Sequence, residues 1–143
     1  MVKKSLLRQR REVEEVFKSR YVRRDAERKL RKWLEKDIVK VVTGVRRAGK
    51  SFFSLHTLKG KKFGYVNFDD EEVCKAEFDE VLKVATEVYG DFDVLFLDEV
   101  QNLSNWEIVV NRLRRQGYNL IITGSNANLL SGELATRLTG RYV

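Results

Sequence analysis

Proline is absent from this 143-residue chain, and cysteine, histidine and methionine occur once each. Without proline, one of the usual markers of linkers and helix ends is missing. The single cysteine, Cys74, excludes an internal disulfide framework and suits a reducing cytoplasm, the location expected here. One histidine and one cysteine argue against a zinc site. A catalytic thiol is disfavoured because the one histidine, His56, falls within a helical pattern and reads as a surface or helix-packing residue. There is no secretory signal and no apolar run approaching a membrane span, so no membrane partner is expected.

What the chain does have is charge. Charged residues make up 34% and hydrophobic residues 43%, which describes one soluble globular domain with a real core under a heavily charged surface. The formal charge of +7 is unevenly spread: Met1 to Lys36 carries about 14 basic and 6 acidic residues, roughly +8. We read residues 1–36 as a basic helical N-terminal segment and residues 37–143 as the core. The plainer explanation of the charge is a solvated amphipathic helix or a thermophile-like surface. The sharper one is a contact with nucleic acid or an acidic protein.

Apolar positions Leu6, Leu7, Val13, Val16 and Phe17 predict a helix from about Ser5 to Phe17. A second helical pattern carries Ala26, Leu30, Trp33 and Leu34, with Asp25 as its N-cap. Strands are expected at Ile38–Thr43, Phe63–Phe68, Val94–Leu97 and Asn119–Thr123. Helices are expected between them at Lys50–Leu58, Val73–Tyr89, after Ser104 or Asn105 up to Gly117, and at about Leu129–Leu134. Strands alternating with helices imply βαβ crossovers and a parallel sheet covered on both faces, a three-layer αβα arrangement. Ligands of such sheets bind beyond the carboxyl ends of the strands. Polar clusters follow Thr43, Leu97 and Thr123, all at such ends.

From Gly44 to Ser51 the chain reads Gly-Val-Arg-Arg-Ala-Gly-Lys-Ser, matching G-x-x-x-x-G-K-[ST], the phosphate-binding loop of P-loop NTPases. Gly44 and Gly49 allow a close backbone approach that a Cβ would obstruct. The N–H groups of Val45, Arg46, Arg47, Ala48 and Phe52 then join those of the loop glycines in converging on phosphate oxygens at a helix N-terminus. Lys50 would reach the β- and γ-phosphates, and the Ser51 hydroxyl would be a ligand of Mg²⁺.

Four apolar residues followed by Asp98-Glu99 form the Walker B pattern. Asp98 is placed to hold Mg²⁺, usually through a water, and Glu99 to orient and polarise the attacking water. A glutamate here, with Phe63–Phe68 between the two Walker strands, points to the additional-strand (AAA/RecA-like) branch and a sheet order of 2-3-4-1. Ser125 and Asn126 suit a sensor of the γ-phosphate or the attacking water; a polar turn capping the next helix is the alternative. Arg137 and Arg141 are candidate arginine fingers, in cis or from a neighbouring subunit, with plain surface arginines as the other reading.

Thr-Gly-Val-Arg-Arg-Ala-Gly-Lys-Ser, Phe-Leu-Asp-Glu-Val-Gln-Asn with Trp106 shortly after, and Ile-Ile-Thr-Gly-Ser-Asn-Ala-Asn-Leu-Leu followed by Leu-Ala-Thr-Arg-Leu-Thr-Gly-Arg-Tyr resemble the AAA-type (AAA_14) ATPase domain of archaea and bacteria. The resemblance runs from the Tyr21–Arg24 region to the last residue. It implies ATP binding and hydrolysis with Mg²⁺. By the family order 5-1-4-3-2, a chain stopping at Tyr142-Val143 is expected to lack the fifth strand and the C-terminal region. That would leave Ile38–Thr43 at an open edge prone to self-association. The leading reading is therefore an ATPase, with turnover impaired if the missing part is needed. The alternative is a nucleotide-switched protein- or DNA-binding module with little or no turnover.

Overall fold

A computed structural model describes residues 1–19, 28, 30–32, 34, 39–43, 50–124 and 140–142; of Thr43, Lys50, Phe53 and 140–142 it describes the backbone alone. Helix α1 (Val2–Lys18) is followed by β1 (Val39–Thr43), α2 (Lys50–Thr57), β2 (Phe63–Asn67), α3 (Glu71–Lys75) and α4 (Phe78–Tyr89). Then come β3 (Val94–Asp98), a 3₁₀ turn (Val100–Asn102), α5 (Trp106–Arg115), β4 (Asn119–Gly124) and β5 (Gly140–Tyr142). The second helical pattern is described only at Arg28, Leu30, Arg31 and Lys32, which are helical, and at Leu34; Leu30 and Leu34 are buried. The helix expected at Leu129–Leu134 lies outside the described residues.

All strand pairs are parallel and the sheet order is β2-β3-β4-β1-β5. The expected order 2-3-4-1 is therefore present, but the expectation of a missing fifth strand is overturned. Gly140, Arg141 and Tyr142 pair with Val39, Lys40 and Val41. Three residues are too few to show a period, so this segment reads as a tail in sequence; it becomes a strand because β1 offers unpaired backbone groups. The ground for expecting self-association through an open β1 edge goes with it.

Successive strand side chains point to opposite faces, and both faces are covered, so β3 is buried at every position. Val39, Val41, Val66, Leu95, Leu97, Leu120 and Ile122 pack on one face with Val73, Phe78, Val81, Ala85, Val110 and Leu113 of α3, α4 and α5. Val42, Tyr65, Val94, Phe96 and Ile121 pack on the other with Leu30, Leu34, Leu55 and Leu58. Three layers follow, with α2 on the second face.

Helix α1 buries Val2, Ser5, Leu6, Gln9 and Val13, a stripe at helical spacing. Leu7 stays exposed, and two polar residues complete the stripe. Val2 and Leu6 join the first core and Val13 the second, so α1 crosses the β2 edge of the sheet. There Gln9 Nε2 donates to the Asn67 carbonyl (3.1 Å), and the Asn67 N–H donates to Gln9 Oε1 (3.0 Å). One side-chain amide thus satisfies backbone groups that an edge strand would leave open.

The single helix expected over Val73–Tyr89 is two helices, with extended backbone at Ala76 and Glu77. Val73 and Phe78 are both buried. Five residues apart, they would stand about 140° apart on one continuous helix, so a break is needed to bury both. The acidic run before it is a helix start: Asp70 Oδ1 accepts from the Glu72 and Val73 N–H groups, and Glu71 and Glu72 occupy the first turn. Asn105 takes the N-cap position of α5 without a side-chain cap bond, and Gly117 follows that helix at φ 93°. His56 is a packing residue, buried with its ring against Phe17 and Phe52. Among the described residues no helix is long and apolar enough to cross a membrane.

Replacing Gln9 with Leu keeps the volume but strands two backbone groups of Asn67. It is expected to cost about 1–3 kcal/mol in chemical denaturation. A second expectation concerns Tyr89, whose buried hydroxyl has no hydrogen-bond partner among the described residues. Burial pushes its pKa above the ordinary range. The folded chain then keeps a proton that the unfolded chain loses above about pH 10. Its contribution to stability is complete below that pH and declines above it, by at most about 1.4 kcal/mol per pH unit. Tyr89→Phe should flatten that alkaline decline, read from denaturation midpoints between pH 9 and 11.

Candidate functional site

The carboxyl ends of β1, β4 and β3 lie side by side. Thr43 is level with Gly124, Val42 with Thr123, and Leu97 with Ile122. Helix α2 starts at Lys50, and β2 ends with Asn67 level with Asp98. Strand parity places Asp98 on the same face as Phe96, and Thr123 on that of Ile121, which is the face that α2 covers.

Asp98 is 2% exposed, and a carboxylate that far from water requires partners. Three hydroxyls supply them from three different elements. Ser51 Oγ donates to Oδ1 (2.8 Å), Thr123 Oγ1 also donates to Oδ1, and Tyr65 Oη donates to Oδ2 (2.6 Å). Burial, then the charge of Asp98, raises the Tyr65 pKa well above the ordinary tyrosine range, so this hydroxyl remains a donor.

Glu99 directly follows in left-handed backbone, φ 54° and ψ 47°. For a residue with a Cβ this conformation costs about 1–2 kcal/mol. It turns the chain out of the strand and into the 3₁₀ turn. The Glu99 N–H donates to Thr123 Oγ1 (3.0 Å), and Gln101 Nε2 donates to Glu99 Oε2 (2.7 Å). Thr123 therefore ties the two adjacent acidic residues together through one oxygen.

Of the residues singled out in the sequence, the fold gathers Ser51, Asp98 and Glu99 at one corner, with the backbone of Lys50 beside Ser51. Phe52 follows on the first turn of α2, its ring against His56. Gly44 to Gly49, Ser125, Asn126 and Arg137 lie outside the described residues. Arg141 is not brought to the corner: its backbone is level with Lys40, three residues before Thr43. At about 3.3 Å per residue that is about 10 Å short of the strand end. Sequence reading missed Tyr65 and Thr123. Their signal is chemical, a tyrosine and a threonine in otherwise apolar buried strands, where each hydroxyl needs a partner.

Thr123→Val is the substitution that tests this corner most directly. It removes a donor to Asp98 and the acceptor for a buried N–H. A loss of about 1–3 kcal/mol in denaturant unfolding is expected, with Thr123→Ser close to wild type.

Comparison with known proteins agrees with this arrangement. A family model described as AAA domain (AAA_14) matches residues 36–143. An uncharacterized protein of Methanocaldococcus jannaschii is 39% identical over 130 residues, covering 87% of this chain and 28% of its own length. An uncharacterized protein of Haemophilus influenzae is 36% identical over 120 residues, covering 75% of this chain and 30% of its own length. The chain thus spans less than a third of the curated relatives that it matches. In fold it is similar to the Walker-type ATPase of Pyrococcus abyssi, with a TM-score of 0.59 at 17% identity, over 90% of this chain and 57% of that one. With a parallel sheet in this order and a family match over most of its length, the chain belongs to the AAA domain family of P-loop NTPases.

Proposed function

We propose that this chain binds ATP with Mg²⁺ and hydrolyses it. The observation that carries the reading is the buried Asp98 carboxylate, joined to the Ser51 hydroxyl at 2.8 Å where the Gly44–Ser51 motif enters α2. Both are hard oxygen donors. Two neighbouring ligands of an octahedral Mg²⁺ at about 2.0–2.1 Å stand about 2.9 Å apart, so the pair fits such an ion, directly or through water. Bound there, Mg²⁺ would neutralise charge on the phosphates.

The remaining roles belong to the chain. The backbone from Gly44 to Ser51 cradles the phosphates, and Lys50 carries a positive charge toward the β- and γ-phosphates. Glu99 accepts a hydrogen bond from the attacking water and takes up its proton. Its backbone hydrogen bond to Thr123 and its side-chain bond to Gln101 favour one orientation for that task. Ser125 and Asn126 are proposed to sense the γ-phosphate, and Arg137 is kept as a candidate finger. For Arg141 no cis role is proposed, because its strand position is too far back.

Nucleotide is the partner that this reading names. Two of the three arginines of α1, which contribute to the basic charge of the N-terminal segment, are engaged within the fold. Arg8 pairs with Asp70, and Arg10 Nη1 donates to the Val88 carbonyl (2.7 Å). A cytoplasmic setting is proposed on the lone cysteine.

The test is ATP binding and turnover with Mg²⁺ by the 143-residue chain beside Lys50→Ala and Glu99→Gln. Lys50→Ala should weaken binding at least tenfold. Glu99→Gln should retain binding and lower turnover by about 10²- to 10⁴-fold. Unchanged binding in the first variant and unchanged turnover in the second would refute the proposal.

A further inference from the structure

The two oxygens of Asp98 have different surroundings. Oδ1 faces Ser51 and Thr123, on the side where the proposed cation would bind. Oδ2 receives Tyr65 Oη at 2.6 Å. We infer that Tyr65 is a positioning residue for the divalent cation, holding the Asp98 carboxylate in the rotation that turns Oδ1 toward Ser51. This rests on the nucleotide and Mg²⁺ reading above, and adds to it a residue outside both sequence motifs.

Geometry makes tyrosine specific here. Tyr65 is paired with Phe96, and Asp98 lies two residues further along β3, about 6.6 Å away. Tyr65, Phe96 and Asp98 share one face of the sheet, so the gap is bridged along that face by a side chain as long as a phenol. Tyr65 is 5% exposed, and its ring sits edge-on to the Phe96 ring, centroids 5.1 Å apart. A ring held this way has little freedom, so its hydroxyl is a fixed donor rather than an adaptable one. A charge-assisted bond from a fixed donor restricts carboxylate rotation more than one from a mobile side chain or water. Partners that orient a metal-binding side chain in this way are typically worth 10- to 100-fold in metal affinity.

The experiment is a Mg²⁺ titration of the 143-residue chain with a fluorescent, non-hydrolysable ATP analogue. Wild type, Tyr65→Phe, Asp98→Asn, the double variant and Lys50→Ala are compared. Tyr65→Phe keeps the ring and removes the hydroxyl. It should bind the analogue as wild type does in EDTA, which also shows that it is folded. The Mg²⁺ concentration at half-effect should rise tenfold or more. In the Asp98→Asn background the same substitution should add nothing, because Tyr65 acts through Asp98. An unchanged Mg²⁺ midpoint in Tyr65→Phe overturns the positioning role, as does an equal loss of analogue binding with and without Mg²⁺. Analogue binding that survives Lys50→Ala overturns the underlying nucleotide reading instead.

Discussion

A carboxylate buried at the end of the interior strand β3 is the constraint on which the site depends. Taken out of water alone, Asp98 would be strongly unfavourable, so it must be met by polar hydrogens from whatever packs around it. Those hydrogens come from β2, from β4 and from the first turn of α2. Each element therefore has to arrive at the same height as the end of β3. The registers achieve this by setting Asn67 beside Asp98 and Ile122 beside Leu97. A slip of one residue in either neighbour would turn its hydroxyl to the opposite face of the sheet.

The two faces of the sheet divide the work. The face toward α2 ends in the hydroxyl cluster, while the opposite face holds the larger apolar core with α3, α4 and α5. Glu99 stands where the chain leaves the strand, in a conformation that costs energy and that its neighbours over-determine. Strain stored beside an acidic residue at a strand end is common at reactive sites. Here the Thr123 hydroxyl bonds both that residue's backbone and the Asp98 carboxylate.

Much of this was legible in the residues themselves. Buried parallel strands announce themselves as short β-branched and apolar runs, and the Gly-Lys-Ser and Asp-Glu motifs fall at their ends because ligands bind there. Other features were hidden for physical reasons. The first four strands were clear, but Gly140–Tyr142 has no pattern of its own and is a strand only by pairing with β1. The break at Ala76-Glu77 follows from two buried residues that no single helix can bury together, a tertiary demand invisible to local periodicity. Gln9 reads as a surface residue until the β2 edge is placed against it. Tyr65 and Thr123 carry no motif, since what marks them is the burial of a hydroxyl.

Helix α1 also bears on the order in which this protein can be made. Its partners lie far along the chain: Gln9 bonds a residue 58 positions later, Arg8 one 62 later and Arg10 one 78 later. At translation rates of about 5–20 residues per second, the first helix leaves the ribosome several seconds before the segments that receive it. During that interval Val2, Leu6 and Val13 have no core to enter. The nascent chain thus carries a bare amphipathic helix until the β2 edge and α4 have been made.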